Sequence, residues 1–205
     1  MRHLSAITIA LAALGLVACN KAPADAPKPG AASAPAAAAK PAAAAPSTDP
    51  EFEQLKTVTA VDACATLTAE KLKAAFPDLS FTQHQALAPR MSGYMWDSRC
   101  SYRAGVGTIE FAKDAPTHTV DIYIGTVVNE AKAQANLRSR GELAKAAPNY
   151  IAQPDLGPDA YAVTDTGMAR VFYVKGKSEY QLNFSDLKTP NAEKVKKIVA
   201  LAKAL

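Results

Sequence analysis

Between Ala160 and Phe184, three runs of strand-like sequence are joined by connections too short for anything but doubling back. Ala160–Thr164 leads through Asp165-Thr166-Gly167 into Met168–Val174, which leads through Lys175-Gly176-Lys177 into Ser178–Phe184. Successive strand side chains point to opposite faces, so Tyr180, Leu182 and Phe184 share one face. Short glycine-containing turns join antiparallel neighbours, and three strands linked in this way make a meander. Any fold for this chain has to contain that sheet.

Earlier segments extend it. Thr117–Val127 alternates Val120, Ile122 and Ile124 with Thr119, Asp121 and Tyr123, a strand rich in β-branched and aromatic residues. Arg99–Arg103 reads as a strand with Cys100 and Tyr102 on one face, and Thr108–Ala112 as another with Ile109 and Phe111 inward. Phe81–Leu87 is a further candidate strand, and Ala88–Asp97 a loop. Thr68 caps a helix through Phe76, with Glu70 in its first turn and Pro77 stopping it. Asn129 caps the longest helix, which runs to about Ala147, has Leu137 and Leu143 as its only large apolar residues, and could divide at Gly141. Thr189 caps the last, with Pro190 at its first position and Ala192, Val195, Val199 and Ala202 as its buried stripe. The expected fold is a single α+β domain over residues 55–205, an antiparallel sheet of five to seven strands packed by about three helices.

The first 54 residues are of a different kind. Arg2 precedes an apolar run from Leu4 to Ala18, long enough for a secretory signal and shorter than the roughly 20 residues that span a bilayer. It ends in Leu16-Val17-Ala18-Cys19, which resembles the lipobox of bacterial lipoproteins. The resemblance implies a signal peptide over residues 1–18. It also implies a diacylglyceryl thioether on Cys19, which becomes the N-acylated mature N-terminus. Two or more acyl chains hold a protein firmly on a membrane, each buried methylene contributing about 0.8 kcal/mol. Asn20, where an Asp would favour inner-membrane retention by the same resemblance, points to the periplasmic side of the outer membrane. Asn20–Pro50 is dominated by Ala and Pro and holds seven of the chain's 14 prolines. Prolines this frequent deny a helix its hydrogen bonds, and nothing larger than Lys is present to build a core. Residues 19–54 are therefore expected to be a lipidated, disordered spacer, in which Asn20–Pro50 has an upper reach of roughly 95 Å at about 3.1 Å per residue.

Three cysteines are present. With Cys19 acylated, Cys64 and Cys100 remain. In an exported, oxidising compartment such a pair is most simply a disulfide, worth about 3–4 kcal/mol. The alternative is two buried free thiols.

Laid out in this order, residues 60–205 resemble a family of secreted actinobacterial lipoproteins of unknown function with a PsbP-like fold. The matching features are Asp62, Cys64, Leu67 and Thr68 before a helix, Cys100 and Tyr102 in a strand, and the turn Leu156-Gly157-Pro158-Asp159-Ala160-Tyr161 before a closing hairpin and helix. Pro158 departs from the acid usual in that turn. The resemblance implies an antiparallel sheet packed by helices, with the disulfide, and carries no catalytic role.

Chemistry is sparse. Lys and Arg number 23 against 19 Asp and Glu, too balanced for a nucleic-acid partner. Phosphate loops, nucleophile elbows, His-x-x-x-His and paired acidic motifs are not found. His84 and His118 are each expected on the polar face of a strand, as solvated histidines or as a metal pair with Asp114. Ser92 beside Gly93 matches no hydrolase motif. Met91, Tyr94, Met95 and Trp96 form an apolar cluster with two readings: an exposed anchor for a partner, or a cover over the disulfide. Lys194, Lys196, Lys197 and Lys203 are either a solvated helix face or a contact to anionic lipid or polymer. The expected function is a non-catalytic periplasmic module without a cofactor, held to the membrane by lipid and binding an envelope protein or a small ligand. The alternatives are an enzyme using His84 or His118 and a structural subunit of an envelope complex.

Overall fold

The computed structural model of the protein describes residues 49–105 and 117–205. Among them, seven strands form one antiparallel sheet in the order β1-β2-β3-β7-β6-β5-β4. They are β1 (Thr82–Ser92), β2 (Met95–Ala104), β3 (His118–Thr126), β4 (Tyr150–Ala152), β5 (Tyr161–Asp165), β6 (Met168–Lys175) and β7 (Ser178–Asp186). Five α-helices accompany them: α1 (Pro50–Leu55), α2 (Ala63–Thr66), α3 (Ala69–Ala75), α4 (Glu130–Ala144) and α5 (Asn191–Ala204). The α+β class and the closing meander are as expected, with β5, β6 and β7 paired in succession.

Register explains where the core lies. Val120, Ile122 and Ile124 of β3 sit opposite Phe184, Leu182 and Tyr180 of β7, while Cys100 and Tyr102 of β2 face Ile122 and Val120. This face of the sheet is dry. Leu67, Leu72 and Phe76 from the α2–α3 segment pack in one cluster with it, as do Val195, Ile198 and Leu201 from α5. Each fully buried aliphatic side chain is worth about 1.5–3 kcal/mol over its exposed state. The Tyr102 hydroxyl donates to the Leu67 carbonyl at 2.7 Å. Cys64 and Cys100 are disulfide-bonded, Cα atoms 5.0 Å apart, and fasten α2 to the centre of β2.

Several elements differ from the expectation. The folded domain starts before residue 55. Asp49 accepts the Glu51 amide at 2.9 Å, Pro50 opens α1, and Leu55 at its end is fully buried. The stretch 88–97 is a hairpin rather than a loop, because β1 continues to Ser92 and turns at Gly93-Tyr94 into β2. Gly93 has φ 58°, the left-handed conformation that a glycine adopts without penalty. Pro89 falls within the register shift between Leu87 and Arg90 on an edge strand, where a missing amide costs no ladder bond. Thr189 does not cap α5. Its amide and hydroxyl donate to Asp186 instead, and Pro190 holds the cap position. The buried stripe of α5 is Val195, Ile198, Leu201 and Ala202, with Ala192 exposed and Val199 partly buried. Strand β4 had no sequence signal. The strand expected at Thr108–Ala112 lies outside the described residues.

The second face is covered only in part. α4 lies across the β5–β7 end, where Leu137 is buried and Gly141 packs on the ring of Tyr161. A close approach of helix to ring, rather than a break, is what Gly141 provides. Leu143, the other large apolar residue, is 80% exposed. With so little apolar surface, α4 can cover no more of this face, and among the described residues no helix lies over the β1–β3 half of it.

Candidate binding groove on the open sheet face

The uncovered half forms a groove of about 380 Å³, within the range of small-molecule sites. Its side chains come from the positions of β2, β3 and β7 that alternate with the core. Asp97 and Arg99 project from β2, Tyr123 from β3 and Gln181 from β7; Leu87 and Arg90 of β1 form one wall and Arg140 of α4 the other.

Arg99 organises the floor. Its Nη2 donates to Asp121 Oδ1 at 3.2 Å, and its guanidinium carbon lies 4.6 Å from the Tyr123 ring centroid. Ser101 Oγ donates to the same Asp121 oxygen at 2.5 Å. Burial pushes the Tyr123 phenol up, the nearby Asp121 adds to this and Arg99 opposes it. Tyr123 is therefore a neutral aromatic surface. The Arg99 Nε–H is covered and has no acceptor.

Glu179 closes the α4 side. Its side chain is 6% exposed and takes a 2.7 Å hydrogen bond from Asn136 Nδ2 and an ion pair from Arg140. A buried carboxylate is tolerable only when paired in this way, so Glu179 locks α4 to β7 along the groove. Arg90 and Asp97 sit opposite each other in the β1–β2 register, and neither side chain bonds another described residue. Gly125 leaves the floor low at one end, where an added Cβ would come within 3.2 Å of Met95 Sδ. Cations, an aromatic ring and a short apolar wall make a recognition surface. Ser101 has its hydroxyl committed to Asp121 and no imidazole beside it among its bonding partners.

Of the described residues singled out from sequence, Met95 lines the groove and the others lie elsewhere. Cys19 and Asp114 lie outside the described residues. His84 is exposed on the edge strand, in the register shift between Gln83 and Gln85. His118 is not on the polar face: it shares the core-facing side with Val120, lies near-parallel to Phe184 at 6.3 Å and pairs with Asp186 at 3.6 Å. The two histidines are not brought together, and among the described residues no three His, Cys, Asp or Glu side chains gather as metal ligands. Ser92 ends β1, exposed. The cluster at the hairpin turn is no free anchor. Trp96 Nε1 donates to the Leu55 carbonyl at 3.1 Å and the Tyr94 hydroxyl to Asp49 at 2.7 Å, so the turn grips α1; Met91 is half-buried beside it. Lys194 is not on a solvated face either. It is 2% exposed, its stem within the core side of α5.

The groove residues escaped sequence reasoning because each is an ordinary outward strand position. One signal was present: α4 has too few apolar residues to seal a seven-stranded sheet.

No family model and no curated protein matches this chain. Among solved structures it is similar to the extracellular domain of PknH from Mycobacterium tuberculosis, with 12% identity, a TM-score of 0.46, and coverage of 75% of this chain and 97% of that one.

Proposed function

We propose that this protein is a lipid-anchored, non-catalytic binding module of the bacterial envelope, tethered through Cys19 and presenting the groove on the open sheet face to a soluble or envelope-borne ligand. The observation that carries the reading is the groove itself, a partly charged surface of four strands and α4 in which Asp121 and Glu179 hold Arg99 and Arg140 in place. The lipobox-like sequence and the Ala/Pro-rich stretch after it support the tether, and the disulfide suits an oxidising compartment. The outer membrane is the proposed location, from Asn20.

In-cell photo-crosslinking tests it. A photoreactive residue replacing Leu87, inside the groove, is expected to give a discrete adduct that the same residue replacing Leu143, on the exposed side of α4, does not. Identical labelling from both positions, or none from position 87, would refute the groove as the working surface.

A further inference from the structure

The donors left over in the groove identify what it takes. Asp121 and Glu179 already accept from Arg99 and Arg140, so neither is available to a ligand. Arg99 has a single acceptor among the described residues, its Nε–H has none, and a third of its side chain remains exposed. Arg90 stands at the rim with its whole guanidinium unbonded. One carboxylate, Asp97, is also unbonded and lies across the strand pair from Arg90.

We infer that the groove binds an organic carboxylate that carries an N–H or O–H donor beside its acid group. This rests on the binding reading above. The acid is received by Arg90 and Arg99, guanidinium groups that match a carboxylate's two oxygens. The adjacent donor satisfies Asp97, which would repel a ligand offering only negative charge. The apolar part lies along Leu87 and the ring of Tyr123. Two sources share this chemistry, the free end of a short peptide and a hydroxy acid, and the groove volume admits either.

Calorimetric titration of the full mature protein in detergent tests the inference. The probes are alanylalanine and malate, with alanylalanine amide and malamide as counterparts that lack the carboxylates. At least one acid is expected to saturate, and its amide to bind about tenfold or more weaker, the worth of a charge-assisted hydrogen bond. Alanylalanine alone would assign a peptide end, malate alone a hydroxy acid. Arg90→Gln should weaken the acid by about tenfold. Arg138→Gln, which removes an equal charge on α4 outside the groove, should leave it unchanged. Failure of both acids to bind, equal binding of acid and amide, or equal loss in the two arginine variants would overturn the assignment. A position-87 adduct formed in cells alongside such a failure would place the error in the ligand class and leave the binding module standing.

Discussion

Breaking the Cys64–Cys100 bond should cost the domain a large part of its stability. The cysteines are 36 residues apart in sequence, and closing a loop of that length in the unfolded chain is worth about 4 kcal/mol in the chain-entropy treatment. Domains of this size hold about 5–15 kcal/mol in total. At roughly 2–4 °C per kcal/mol for 150–250 residues, reduction should lower the melting temperature by about 8–16 °C. Location adds to the effect. Cys100 is fully buried in the middle of β2, so the bridge fixes the four-residue α2 to the core beside the packed Leu67, Leu72 and Phe76. The assay is circular-dichroism melting of the same full-length protein with and without reductant, repeated on the Cys64→Ala/Cys100→Ala double variant. A drop below about 3 °C in both would mean a contribution near 1 kcal/mol or less and would refute the reasoning that the bridge staples the fold.

Leu55→Ala should destabilise the domain by about 2–5 kcal/mol, because Leu55 is fully buried, and limited proteolysis should then cut near α1 first; a cleavage map unchanged from wild type would argue against α1 as part of the fold. Asp186→Asn should remove an acid-side dependence of stability. Burial raises the Asp186 carboxyl, but hydrogen bonds from Thr189 and the Lys188 amide, with His118 facing it, outweigh that and hold it below the usual carboxylate range. A lowered folded value means that this stabilisation is present above the unfolded pKa of about 4 and lost as pH falls through the folded one. Wild-type melting temperature should therefore fall more steeply below about pH 4 than that of the variant, and parallel curves would count against the pairing. Cys19→Ala should abolish fatty-acid labelling and release the protein from the membrane fraction; a labelled, membrane-bound variant would contradict the tether.

The parts of the fold legible in sequence are those where one local rule acts alone. β3 and β7 alternate apolar and polar residues over a full strand, and the short turns on either side of β6 leave it no choice of partner. The β1–β2 hairpin was hidden because Pro89 and the large apolar residues around Gly93 break the period of two that marks a strand, although an edge position and a register shift accommodate both. α1 was hidden by its neighbour: the Ala/Pro composition of the preceding stretch runs into it, and only Asp49-Pro50-Glu51 signals a capped start. The phase of His118 was readable, since it has the parity of Val120 and Ile122. The groove was not, because Leu87, Arg99, Tyr123 and Glu179 belong to four strands and meet only through tertiary register. Lys194 shows the limit of reading charge as exposure, because a long methylene stem can lie within a core.

Carbene footprinting of the protein in intact cells, set against the purified protein, tests most directly whether the open face is where the protein meets its ligand. Leu87, Met95 and Tyr123 are expected to be labelled less in the envelope than in isolation, while exposed Leu143 and Leu187, outside the groove, are labelled equally in both. Equal labelling of the groove residues in the two settings would contradict it.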